Sequence, residues 1–193
     1  APFESVLRGL VREDLRQELS RAPTSRGAEE LLGGCLLDEA AFVHEHHTIE
    51  RGAATSARVE ISMSAGELEL KSGAATLFAG DFDFNVPVLK PAIDYAVNGA
   101  TGTLKVSQGS TSGNYENTWR LSLDETTPVD LNMNLAAGDL ELVLGRVNLR
   151  SLTVRLGAGD LNLDLRGTPS TGYSVNVQAG AGDATIRLPA SVG

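Results

Sequence analysis

The sequence predicts an all-β solenoid with an N-terminal helical segment, and three observations predict the solenoid. First, a short unit recurs. Val59–Leu70 reads VEISMSAGELEL, Leu131–Leu142 LNMNLAAGDLEL, Leu152–Leu163 LTVRLGAGDLNL and Val175–Ile186 VNVQAGAGDATI. Each alternates apolar and polar residues, passes A-G-(D/E) or its close variant, and alternates again, which marks strands with one buried face. Second, the phase shifts at the turn: Leu152, Val154, Leu156 and Ala158 give way to Leu161, Leu163 and Leu165. In a straight strand that shift would put the two halves on opposite faces. A sharp corner keeps both facing one interior. Third, the turn glycines are Gly66, Gly138, Gly159 and Gly182, the last three spaced by 21 and 23 residues. Such a period signals stacked repeats, since one unit cannot bury its apolar face alone.

At each corner the glycine supplies backbone freedom, and the following acid is placed to cap the corner through its own backbone. Gly66, Gly138, Gly159 and Gly182, with Asp139, Asp160 and Asp183, are therefore read as structural corners. Ala79–Phe82 and Thr101–Leu104 are weaker copies of the same unit.

Composition fits this reading. The chain has 193 residues, 41% of them hydrophobic, 5% aromatic, with 21 glycines. That suits a narrow interior of stacked aliphatics with many corners. The net charge is −9, and no basic patch exists, which argues against nucleic acid and against electrostatic binding to anionic lipid. The one cysteine, Cys35, excludes an internal disulfide. No apolar run approaches the ~18 residues of a transmembrane segment.

In chain order, residues 1–45 are expected to be a helical segment and linker, and residues 46–193 the solenoid. Leu7, Leu10, Val11, Leu15 and Leu19 recur at helical steps, Pro23 breaks the pattern, and a second, shorter helix follows. Leu32-Gly33-Gly34-Cys35 has the form of a lipidation box, but Arg26, Glu29 and Glu30 stand where an apolar stretch is required, so a lipid anchor at Cys35 is not expected. His44-Glu45-His46-His47 reads as a solvated lead-in to the first strand. The first repeat occupies residues 58–70. After Leu77–Val86, Pro87 and Pro91 exclude a central strand and mark an excursion or edge. Alternation resumes through Ile93, Tyr95 and Val97, then Leu104 and Val106. Residues 107–114 form a loop, Tyr115–Leu123 alternates again, and Thr126-Thr127-Pro128 turns into the regular repeats.

Four stretches together resemble a known family: Ser56–Leu70, Phe84–Pro91 (FNVPVLKP), Pro128–Leu142 and Ala179–Pro189 (AGAGDATIRLP). Over about residues 48–193 the chain resembles the bacterial toast-rack domain, which is related to the C-terminal domains of LiaF-type cell-wall-stress proteins and to putative adhesin domains. The resemblance implies a β-solenoid exposed outside the cytoplasmic membrane, often attached by a lipid or a membrane segment. It brings no catalytic residues and no cofactor.

His44 and His46, at alternate positions, share one face and are weak candidates for holding a metal, but no further Cys or His completes a set. Stacking would bring Asp139, Asp160 and Asp183 into a column with a rise of about 4.8 Å per coil. That makes Asp160 a weak cation candidate, with corner capping preferred. The Gly pairs open no helix, so they do not read as dinucleotide-binding. Glu67/Glu69 and Asp160/Asp164 read as solvated faces, and no catalytic residue is assigned. The expected function is a non-catalytic cell-envelope module for protein–protein contact or self-assembly. The alternatives are a regulatory sensor domain of a cell-wall-stress system and a carbohydrate-acting β-helix enzyme, the latter needing acids beside the Tyr115/Trp119 aromatics.

Overall fold

The structure, a computed structural model, describes residues 42–109, 115–168 and 172–190. The expected helices of the N-terminal segment and Cys35 lie outside the described residues, as does most of the loop expected at residues 107–114.

The fold is nearly all β. Its centre is two long strands, β2 (Ser56–Ser72) and β7 (Val129–Val143). They run parallel and in register from Ala57↔Val129 to Lys71↔Val143, with Gly66 opposite Gly138. Each bends at its glycine, so one coil contributes to two walls. On the first wall, β5 (Thr101–Ser107) pairs with the first half of β2, and β8 (Leu149–Ala158) pairs with the first half of β7. On the second wall, β6 (Asn117–Leu123) pairs with the second half of β2, and β9 (Leu161–Asp164) pairs with the second half of β7. The last coil, β10 (Ser174–Ala181) and β11 (Ala184–Arg187), stacks on β8 and β9. All these pairings are parallel, as a solenoid requires.

The other end of the stack is built differently. β4 (Ala92–Asn98) adds antiparallel to β5 on the first wall. β3 (Phe78–Phe84) adds antiparallel to β6 on the second, and β1 (Val43–Ile49) adds antiparallel to β3. Pro87–Leu89 is a 3-10 turn between β3 and β4, where proline's fixed φ and missing N–H are tolerated. His44–His47 is thus part of a strand and not a lead-in. Its alternation of polar residues carries no hydrophobic signal, and pairing with β3 supplies the order that propensity does not.

Core columns run across the coils. Leu121, Leu70, Leu142 and Leu163 lie opposite one another on the second wall and are at most 3% exposed. On the first wall Leu104, Val59, Leu131 and Leu152 form an equally buried column. Each such side chain contributes about 1.5–3 kcal/mol relative to exposure. The few aromatics gather at the β3/β6 end: Phe82 meets Trp119 edge-on, centroids 5.2 Å apart, and both are fully buried.

Both expected weaker copies prove not to be corners. Gly80 and Gly102 sit inside β3 and β5. A Cβ on Gly80 would lie 2.8 Å from the Phe82 ring, and one on Gly102 2.4 Å from the Tyr95 hydroxyl. These glycines make room for an aromatic ring laid across the strand. In sequence, a glycine that seats a ring and one that turns a corner look alike.

Candidate functional site

Three features of the surface carry polar chemistry: the corner column, the outer face of the second wall, and the two ends of the stack.

The corner glycines adopt positive φ, from 120° at Gly138 and Gly159 to 132° at Gly66. They are also tightly stacked. A Cβ on Gly159 would fall 2.0 Å from the carbonyl oxygen of Gly138, and one on Gly182 2.0 Å from that of Gly159. Conformation and space both require glycine there. The aspartates act between coils. The Asp139 carboxylate accepts the backbone N–H of Asp160 at 3.3 Å, and that of Asp160 accepts the N–H of Asp183 at 3.1 Å. Asp139 and Asp160 therefore cap the corner of the next coil, where the sequence reading expected each acid to cap its own.

The coil containing β5 and β6 has no Gly-Asp corner; Asn117 stands there. Its Nδ2 donates to the Ala65 carbonyl at 3.0 Å and to Gln108 Oε1 at 2.8 Å, and its Oδ1 accepts the Trp119 indole N–H at 3.0 Å. Asn117 is buried, and its own carbonyl oxygen packs on Gly66. Nothing in the local sequence marks it. Its role follows from the neighbouring coil.

On the outer face, His44 Nδ1 lies 2.6 Å from Asp83 Oδ1 and His46 Nδ1 lies 2.7 Å from Asp81 Oδ1. Arg120 on β6 donates to the other Asp83 oxygen at 2.6 Å. The His44 hydrogen bond holds the Asp83 carboxyl below its ordinary value; burial opposes this, and Arg120 adds to the lowering. The sequence placed His44 and His46 on one face; their partners come from a strand 35 and 39 residues away. Among the described residues, no group of three or more His, Cys, Asp or Glu is arranged to hold a metal ion.

Beside this ladder the second wall forms an open groove of about 640 Å³, floored by Glu67, Glu69, Asp139 and Glu141 between Arg120 and Arg187. Glu69 pairs with Lys71, and Arg187 donates to Asn162 at 2.5 Å. The carbohydrate reading needed an aromatic platform beside such acids. Trp119 faces the core and is fully buried, and Tyr115 is exposed but does not line this groove.

The two ends differ. At the antiparallel end, β1 turns Glu45 and His47 inward. Glu45 accepts from Lys90 Nζ at 2.7 Å and lies 3.2 Å from His47 Nε2, and its carboxyl is held below its ordinary value by Lys90 first and His47 next. On β4, the Tyr95 hydroxyl donates to the Arg51 carbonyl at 2.7 Å. At the β10/β11 end the inward positions are apolar and open. Val175 is 39%, Ile186 44% and Leu188 51% exposed, against 1%, 0% and 1% for Leu152, Leu163 and Leu165 one coil below. No helix among the described residues is long and apolar enough to cross a membrane.

A stack of parallel two-walled coils, cornered by glycine and bridged between coils by aspartate, defines a solenoid-like repeat domain whose regular part is scaffold. The chain belongs to the toast-rack family: residues 38–187 match the family model described as the N-terminal domain of toast_rack, DUF2154. It is similar to the crystal structure of a "putative cell adhesion protein" from Clostridium sporogenes, with 30% identity over 79% of this chain and 74% of that one, at a TM-score of 0.75. A "putative adhesin" from Parabacteroides merdae matches at 8% identity over 76% of this chain and 77% of that one, with a TM-score of 0.31. No curated protein matches the chain.

Proposed function

We propose that the chain is a non-catalytic module of the bacterial cell envelope, exposed outside the cytoplasmic membrane, that acts by protein–protein contact or self-assembly. The observation that carries this reading is the similarity, in sequence and in fold, to the protein described as a "putative cell adhesion protein". The distribution of polar groups supports it. The histidines and arginines of the second wall are engaged with carboxylates or an amide.

The test is protease treatment of spheroplasts, stripped of wall and any outer membrane, from bacteria that produce the chain from its native gene. Under this reading the chain is cleaved, or is released with the stripped layers, while a cytoplasmic marker survives. Full protection inside the spheroplasts until they are lysed would overturn it.

A further inference from the structure

All three histidines of the chain sit on one strand, in the run His44-Glu45-His46-His47 of β1. Among the described residues β1 pairs with β3 alone. Burial does little to hold it there. Ile49 is its one half-buried aliphatic, Val43 is exposed, and the other inward positions are Glu45 and His47. A strand with so few buried apolar contacts opens locally at a small fraction of the cost of unfolding the whole chain. What else ties it to β3, besides the backbone ladder, is therefore decisive.

Two alternate histidines make that tie. His44 Nδ1 lies 2.6 Å from Asp83 Oδ1 and His46 Nδ1 lies 2.7 Å from Asp81 Oδ1, both across the ladder. His44 Nε2 is 3.6 Å from Asp81 as well. An ionised carboxylate only accepts, so each imidazole donates. A neutral imidazole can make such a bond, but a protonated one turns it into an ion pair about twice as strong. Histidine is the side chain whose ordinary titration falls between pH 5 and 8, well above the ordinary carboxylate range. Two cations border the cluster. Arg120 of β6 donates to Asp83 and stands opposite Asp81 in the ladder, and Lys90 donates to Glu45. His47 pairs with Glu45 inside β1 and meets the ring of Phe82 edge-on, so its ion pair does not span the two strands.

We propose that β1 is a proton-tightened clasp: protonated His44 and His46 bind the strand to Asp83 and Asp81, and their deprotonation lets β1 open more often and uncover the edge of β3. The sign is set by the pairs. The tie is complete below the histidine range and weakens as pH rises through it. On the acid side it persists until Asp83, which His44 holds below its ordinary carboxyl value, takes up a proton. The device goes beyond the envelope reading and does not depend on it.

Hydrogen exchange of the 193-residue chain at pH 5.5 and pH 7.5, with rates corrected for the intrinsic pH dependence of amide exchange, tests it. The opening constant of β1 should be about two- to thirtyfold larger at the higher pH, from two exposed pairs at their usual worth. β4, an edge strand at the same end that carries no histidine, should open equally at both. H44Q/H46Q keeps uncharged donors on β1 and should remove the difference. Equal opening of β1 at the two pH values, greater opening at pH 5.5, a change shared by β4, or a double variant that keeps the parent's ratio would each overturn the proposal. If the double variant fails to fold, salt decides on the parent. Added salt screens exposed ion pairs, so it must increase β1 opening more at pH 5.5 than at pH 7.5, and an equal effect overturns the clasp. Protection of the chain inside spheroplasts would defeat the envelope reading and leave this result untouched.

Discussion

The Asp160 carboxylate accepts the backbone N–H of Asp183 at 3.1 Å, across 23 residues of sequence and one coil of the stack. This bond ties the last coil to the one beneath it at the corner, where the strand ladders of β8/β9 and β10/β11 are interrupted. Replacing Asp160 by alanine removes the acceptor and should cost about 0.5–1.5 kcal/mol. D160N keeps a side-chain oxygen and should recover most of that. Urea unfolding of both variants measures the difference; equal losses would show that the bond is not the cause.

Gly159 and Gly73 have nearly the same φ, 120° and 115°, but different surroundings. A Cβ on Gly73 meets nothing within 4 Å, whereas one on Gly159 strikes the Gly138 backbone. G73A should show backbone strain alone, about 1–3 kcal/mol. G159A adds a collision that no rotamer relieves and should lose about 4 kcal/mol or more. Thermal or urea denaturation of the two variants tests this, and comparable losses would contradict it.

Asn117 joins Ala65, Gln108 and Trp119 through one buried amide. N117A leaves the buried Trp119 indole N–H unpaired, a cost of about 1–3 kcal/mol. W119F removes that orphaned group, so N117A should cost less in a W119F background. A double-mutant cycle reads the coupling.

The pH dependence has a definite sign. Asp83 titrates below its ordinary value of 3.8 in the folded chain, chiefly through His44. A depressed carboxylate supplies stability that is fully present above the unfolded pKa and lost as pH falls through the folded one. H44A removes the largest lowering contribution and should raise the Asp83 pKa. It should also shift acid unfolding to higher pH. NMR titration of the Asp83 carboxyl checks the first expectation. Asp164, held at about 2 by the Arg166 guanidinium and backbone N–H, should stay charged further into acid.

Much of this molecule is legible without coordinates because a solenoid repeats one local rule. Alternation fixed which residues face inward, the parity change at Ala158–Leu161 fixed the bend, and the 21- and 23-residue spacing fixed the stacking. These are properties of strands and corners, set within a few residues. What lay between distant segments was not legible. Glycine at residues 80 and 102 carries the same letter as at 159, and only the ring packed over it separates a seat from a corner. His44 and His46 show their shared face, but Asp83 and Asp81 become their partners only when β1 pairs antiparallel with β3. Asn117 takes the place of a corner because β6 lies beside Gly66. The sequence alone determined a stacked β architecture with an apolar interior. Tertiary structure decided that Asp139 and Asp160 cap the coil after their own and that Glu45, His47 and Lys90 close the β1 end by charge. The reason is that hydrogen bonds and burial between coils depend on register, which pairs residues separated by whole coils, while propensity and periodicity act only along the chain.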